Sequence, residues 1–364
     1  MVNRLVEMYE KYGQSPWIDN LSRAWINSGR ITELKDLGIR GLTSNPTIFA
    51  NAIAKSDDYD KEFLELIKTT DTKTAYWQMA CKDVASAADS LSEIYSHSKG
   101  TDGFVSIEVD PELAHDTNGT ISAAKSLWNK IAKDNLMIKI PATLEGLPAI
   151  TEVLSMGISV NVTLIFGLER YQQVMEAHIA GISKALKAGH KLSGISSVAS
   201  FFVSRVDTKL DPILSNLPNE GKALAGKVAV AQAQAAYVLN QKRYSQKDWL
   251  ELAQSGALVQ RPLWASTSTK NPNYPDLLYV ENLIAPGTVN TMPEATVLAY
   301  LDHGTPVANP NDFEEHSAAI FSKLKDAGVD LSKASEELEA EGVTSFANSF
   351  KELLTALENK RSSL

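Results

Sequence analysis

Cysteine is almost absent from this chain of 364 residues: Cys81 stands alone. A single thiol forbids an intrachain disulfide and any thiolate metal cluster. It lies in Tyr76-Trp77-Gln78-Met79-Ala80-Cys81, on a helical pattern, where a cysteine packs as a small hydrophobe. Positive charge is also short. Lys and Arg number 35 against 44 Asp and Glu, a formal net charge of −9, and no basic stripe is present. Such a chain makes a poor nucleic-acid binder, so no nucleic-acid partner is expected. An anionic substrate would require cations gathered locally. No apolar run approaches the roughly 20 residues of a membrane span, so no membrane partner is expected either. The segment Met1-Val2-Asn3-Arg4-Leu5-Val6-Glu7 lacks the apolar core of a signal peptide, and the expected location is cytoplasmic. Linkers rich in Gly, Ser or Pro, internal repeats and long low-complexity stretches are missing as well. A single domain over residues 1–364 is therefore expected, although the length exceeds that of one typical core.

What is present is alternation. Short apolar or β-rich runs fall at Trp17–Asp19, Gly41–Asn45, Phe104–Asp110, Leu136–Ala142, Ile158–Leu164, Ile195–Phe202, Leu258–Ser266 and Leu283–Pro286, with helical spacing between them. The series Tyr76, Ala80, Val84, Ala87, Leu91, Ile94 and the alanine-rich stretch Ala223–Leu239 are two such helices. Thr32 and Ser245 read as N-caps, Ser245 with Asp248 three residues on. Eight strands alternating with helices, in a chain longer than the usual ~250 residues, predict an α/β fold. The form is a (β/α)8 TIM barrel with helical additions at residues 1–14, about 51–74 and about 310–360. The last includes a C-terminal helix, with Phe346, Phe350, Leu353, Leu354 and Leu357 on one face, packed on the barrel. The competing doubly wound sheet needs a G-x-G-x-x-G turn in its dinucleotide form, and there is none. The segment Gly221-Lys222-Ala223-Leu224-Ala225-Gly226-Lys227-Val228 has the glycines and lysine of a phosphate loop. Val228 replaces the magnesium-binding hydroxyl and no strand precedes it, so it reads as a helix start.

One lysine is out of place. Lys139 sits inside Leu136-Met137-Ile138-Lys139-Ile140-Pro141-Ala142-Thr143, a run that reads as a buried strand. Burial without a partner favours the neutral amine, which is a nucleophile towards carbonyls. A carboxylate partner, or a side chain reaching solvent, is the plainer reading. Polar groups recur where the other strands end: Asp19, Asn45, Glu108, Asn161 with Thr163, Ser200 with Phe202 and Arg205, and Lys270. Glu108 lies in apolar surroundings that should raise its pKa. Each alone could be a cap, a turn residue or a surface ion pair, Arg205 with Asp207 for example. A barrel, however, converges all these ends on one pocket. The histidines, His97, His115, His178, His190, His303 and His316, are scattered and read as structural or surface residues. None sits at a predicted strand end with a carboxylate partner, apart from the weak pair His115-Asp116. No metal-ligand spacing appears, and no cofactor is expected.

From about Trp17 to His303 the chain resembles the transaldolase family. The resemblance is carried by Gly41-Leu42-Thr43-Ser44-Asn45-Pro46-Thr47, Val105-Ser106-Ile107-Glu108-Val109-Asp110, Met137-Ile138-Lys139-Ile140-Pro141-Ala142-Thr143, Asn161-Val162-Thr163-Leu164-Ile165-Phe166, Ser200-Phe201-Phe202-Val203-Ser204-Arg205 and Ile284-Ala285-Pro286. It implies metal-independent transfer of a dihydroxyacetone unit from a ketose phosphate to an aldose phosphate, as in the non-oxidative pentose phosphate pathway. Lys139 falls at the Schiff-base position and Asp19 at that of the acid/base. Glu108 and Thr163 match residues that hold a catalytic water. Asn45, Asn161 and Ser200 match positions that bind sugar hydroxyls or orient the lysine, Phe202 would wall the site, and Arg205 would bind the phosphate. Lys270 stands where the family commonly has arginine; it keeps the charge and loses the bidentate fork. Sugar phosphates are the implied partners, and the resemblance allows a homodimer. Two alternatives stay open: an aldolase on the same scaffold that releases free dihydroxyacetone, and a non-catalytic barrel that binds sugar phosphates.

Overall fold

The computed structural model describes residues 3–54, 56–218, 221–305 and 309–362. Met1, Val2 and residue 55 of the expected insertions lie outside them. Eight parallel strands, each paired with the next in sequence, close into a barrel: β1 Gln14–Asp19, β2 Leu42–Thr43, β3 Val105–Glu108, β4 Leu136–Pro141, β5 Val160–Ile165, β6 Ser197–Phe202, β7 Arg261–Ala265 and β8 Thr288–Met292. The (β/α)8 architecture follows from burial on both faces: β3 to β6 are buried at every position, which demands helices outside and packed side chains within. The long helix Thr72–His97 carries the expected buried stripe, and Cys81 is buried and free within it, its thiol pushed up to about 11 by burial.

Three expectations need correction. The eighth strand is Thr288–Met292, not Leu283–Pro286. Leu283, Ile284 and Ala285 are buried in the connection that precedes it, where the Leu283 carbonyl accepts from Gln14 Nε2 and Trp264 Nε1, so the apolar run packs against the barrel wall without joining the sheet. Thr32 lies inside the helix Arg30–Asp36, whose cap position is Gly29. Ser245 ends the helix Val228–Tyr244 and donates to the Lys242 carbonyl, while Asp248 is taken by Arg243 at 2.8 Å. The glycine-lysine segment gives a short 3₁₀ turn, Lys222–Leu224, ahead of that same helix, as a helix start would.

The chain closes with the helix Leu331–Ser362, laid across the barrel against the helices Pro46–Ala54, Thr72–His97 and Ser204–Leu214 and against β5. Phe346, Phe350, Leu353 and Leu357 are its buried face, each contributing about 1.5–3 kcal/mol by burial. Phe350 meets Tyr76 edge-on, ring centroids 5.4 Å apart. Gly342 permits the close approach: a Cβ there would lie 3.1 Å from Leu164 Cδ2 and 3.2 Å from Phe166 Cε2. Arg170 with Glu339, and Lys209 with Glu337 and Glu341, pin the flanks. Among the described residues no helix is long and apolar enough to cross a membrane.

Candidate active site

Register assembles the reactive groups. Glu108 on β3 pairs with Lys139 on β4, which pairs in turn with Asn161 on β5, so three inward-facing polar side chains stand side by side in one layer. Lys139 is 4% exposed, and its Nζ lies 3.4 Å from Glu108 Oε2 and donates to the Ser44 carbonyl at 3.3 Å. The lysine is therefore buried with a partner, the plainer of the two sequence readings. The partnership is loose: Glu108 Oε2 is left without a well-formed hydrogen bond, as is Thr163 Oγ1 nearby on β5. Burial pushes the Glu108 carboxyl up to about 7, against the opposing pull of Lys139.

Asp19, at the end of β1, is held by a hydroxyl relay. Thr43 Oγ1 donates to Asp19 Oδ1 at 2.6 Å and lies 2.7 Å from Thr291 Oγ1. Burial raises the Asp19 pKa, and Lys139, Thr43 and Lys270 pull it back. On the far wall Arg205 lies in the first turn of the helix Ser204–Leu214, its guanidinium 5.3 Å from the Phe202 ring centroid. Among the described residues it forms no ion pair; burial lowers its pKa and Glu341 pulls it back. The ion pair with Asp207 does not form; that carboxylate accepts from Ala229 N and Tyr279 OH. Lys270 donates to Ser268 Oγ at 2.6 Å.

Asp19, Asn45, Lys139, Thr163, Ser200, Phe202, Arg205 and Lys270 line one cavity of about 300 Å³ at the C-terminal ends of the strands. Glu108 and Asn161 do not line it. Glu108 stands behind Lys139, and Asn161 is fully buried beneath, donating to Ser106 Oγ and accepting from Ser200 Oγ at 2.7 Å. Asn45 has one end committed, its Oδ1 accepting from Ile48 N at the start of a helix.

A buried lysine beside a high-pKa carboxyl, an inward aspartate and an arginine in no ion pair among the described residues stand together at this site. The sequence profile of the family described as Transaldolase/Fructose-6-phosphate aldolase matches residues 16–357. Proteins named transaldolase match along almost their whole length. The one from Thermobifida fusca is 49% identical over 346 residues, 94% of each chain. That from Renibacterium salmoninarum is 48% identical over 351 residues, 95% of this chain and 94% of the relative. That from Mycolicibacterium smegmatis is 47% identical over 352 residues, 96% and 95%. The chain belongs to the transaldolase/fructose-6-phosphate aldolase family.

Within this transaldolase-family barrel several site groups gave no signal in the sequence. Thr43 and Thr291 form the Asp19 relay, but a strand threonine looks the same whatever its hydroxyl meets. The Ser44 contact to Lys139 is made by backbone. Phe346 comes from the C-terminal helix, lines the cavity and places its ring centroid 5.8 Å from Lys139 Nζ; its spacing showed that it packs but not on what. The histidines stay outside the cavity lining. His115 meets Glu145 at 3.0 Å, not Asp116, which caps the next helix. His178 is fully buried against Tyr244 and Trp249, and burial lowers its pKa to about 3. A larger cavity of about 460 Å³ lies under the C-terminal helix beside Gly167 and Arg170. Its arginine is already paired with Glu339, and it holds no set of reactive groups comparable to that around Lys139.

Proposed function

We propose that the protein is a transaldolase. It transfers a dihydroxyacetone unit from fructose 6-phosphate or sedoheptulose 7-phosphate to glyceraldehyde 3-phosphate or erythrose 4-phosphate, through a Schiff base on Lys139. The observation that carries this reading is the convergence of Lys139, Asp19 and Arg205, a cation in no ion pair among the described residues, on one cavity, with Glu108 directly behind the lysine.

The amine of Lys139 attacks the C2 ketone, and the carbinolamine loses water to give a protonated imine, an electron sink. Glu108, with a carboxyl poised near neutrality, and Thr163 offer two unpartnered polar atoms to a water that shuttles protons in this step and its reversal. Asp19 takes the proton from the C4 hydroxyl. Its raised pKa suits a base, and Thr43 keeps its second oxygen free to act. The C3–C4 bond breaks, the aldose phosphate leaves, and the enamine on Lys139 attacks the carbonyl of a second aldose phosphate while Asp19 returns its proton to the new hydroxyl; water then hydrolyses the imine and frees the new ketose phosphate from Lys139. Asn45 and Ser200 supply polar contacts for the sugar, with Asn161 fixing Ser200 from below. Arg205 and Lys270 take the phosphate. Phe202 and Phe346 wall the reacting carbons from water.

The whole chain, residues 1–364, is read as one domain in the cytoplasm, with a homodimer compatible with the family. Purified protein given fructose 6-phosphate and erythrose 4-phosphate should form sedoheptulose 7-phosphate in step with glyceraldehyde 3-phosphate. Accumulation of free dihydroxyacetone at the same rate would place it with the aldolases instead, and binding without turnover would make it a sugar-phosphate binder.

A further inference from the structure

The glycine-lysine segment Gly221–Val228 has no place in the chemistry above, yet it touches the loop that carries Lys270. That loop follows β7 and is closed on itself. The Thr269 hydroxyl is shared between the Pro275 and Asp276 carbonyls at 2.9 and 3.0 Å, and Tyr274 N donates to the Asn271 carbonyl at 3.1 Å. Lys270 is at one corner of this closed unit and Tyr274 is at the other. The Tyr274 hydroxyl donates to Asp211 Oδ2 at 2.7 Å, and Gly226 N donates to Asp211 Oδ1 at 2.9 Å. The ring lies on the Gly226 backbone: a Cβ there would be 2.8 Å from Tyr274 Cζ, and Gly226 has φ +74°. One turn earlier on the same helix Asp207 repeats the arrangement, accepting from Tyr279 OH and Ala229 N.

That helix, Ser204–Leu214, also carries Arg205 in its first turn. It therefore holds one cation directly and anchors the loop bearing the other. Arg205 and Lys270 are both cationic, and among the described residues neither forms an ion pair, although Glu341 acts on Arg205 and Asp19 on Lys270 at longer range. Mutual repulsion opposes their convergence on one anion, so something else must hold them.

We propose that Tyr274, seated on Gly226 and hydrogen-bonded to Asp211, is the positioning residue that sets Lys270 against Arg205. The near-phosphate-loop segment then serves phosphate recognition as the seat of a loop, without touching phosphate itself. This rests on the reading of Arg205 and Lys270 as the phosphate pair.

The test compares KM for glyceraldehyde 3-phosphate and for unphosphorylated glyceraldehyde as acceptors, with saturating donor. Tyr274→Phe keeps the ring and removes the hydroxyl. It should raise KM for glyceraldehyde 3-phosphate about three- to tenfold, as for the loss of one hydrogen bond, and leave KM for glyceraldehyde within about twofold. In a Lys270→Ala background the same change should have no further effect, which a merely structural role would not produce. Gly226→Ala, if it folds, should act in the same direction. An equal rise for both acceptors, no rise, or an additive effect on top of Lys270→Ala overturns the inference. Lys270→Ala leaving both KM values unchanged would instead overturn the phosphate reading beneath it, and the inference with it.

Discussion

The two ends of the barrel both bury a carboxylate next to cations, and they treat it in opposite ways. At the N-terminal rim Asp102 is saturated. Trp17 Nε1 donates to it at 2.7 Å, Ser15 Oγ at 2.6 Å and Arg40 Nε at 2.9 Å, with Arg261 3.6 Å away. Arg40 is itself stacked on the Tyr9 ring. At the C-terminal rim Glu108 has one loose lysine, an oxygen without a proper donor, and a carboxyl pushed up to about 7. A structural charge is surrounded by donors until nothing is left to react. The one proposed to react is left short of partners, a cost that the packing of the rest of the barrel must offset.

That contrast can be broken or sharpened by substitution. The largest effect belongs to Lys139→Met, which should cut turnover more than about 1000-fold while leaving the thermal midpoint essentially unchanged; residual activity of a few per cent would end the covalent account. Next comes Asp102→Asn. It strands Arg40 and two neutral donors, and should cost about 3–5 kcal/mol in urea unfolding with kcat nearly intact. A loss under about 1 kcal/mol would erase the distinction between the two rims. Glu108→Gln should do the reverse, lowering kcat about 100-fold while changing stability by less than about 1 kcal/mol.

The smallest effect sharpens the comparison with an intermediate case. Asp207 is satisfied by two neutral donors and by no cation, and burial raises its carboxyl to about 7. The folded chain then keeps a proton that the unfolded chain has released. Stability should fall as pH rises from the ordinary aspartate range to about 7 and level off above it. Glu108 contributes with the same sign. Asp207→Asn should flatten that slope and gain about 1–2 kcal/mol at pH 8 over wild type; an unchanged slope in urea titrations at pH 5.5 and 8 would contradict the assignment.

Seven of the eight strands were legible because a parallel barrel buries both faces of its strands and writes them as apolar runs. The eighth was not. Thr288-Val289-Asn290-Thr291-Met292 is mostly polar, and its side chains find partners inside, such as Gln14 and the Ala285 carbonyl for Thr288, while the apolar Leu283–Ala285 nearby looked more like a strand and is a buried connection. The caps at Thr32 and Ser245 were misread for different reasons: the helix around Thr32 starts earlier, from Gly29, and Ser245 closes a helix by donating back to the Lys242 carbonyl. At the site, residues on strand ends could be listed from the sequence, since topology alone brings them together. Phe346 could not be placed, because which surface a helix covers is decided by tertiary docking, here through Gly342. Nor could the Thr43–Thr291 relay or the Tyr274 seat, which exist only as contacts between distant segments.

The central claim is that Lys139 forms the covalent bond. Borohydride reduction in the presence of fructose 6-phosphate, followed by peptide mass spectrometry, tests it most directly. The account predicts a reduced three-carbon adduct on Lys139, which fixes both the covalent residue and the C3–C4 cleavage. Folded protein with no adduct, or an adduct on another lysine, would contradict it.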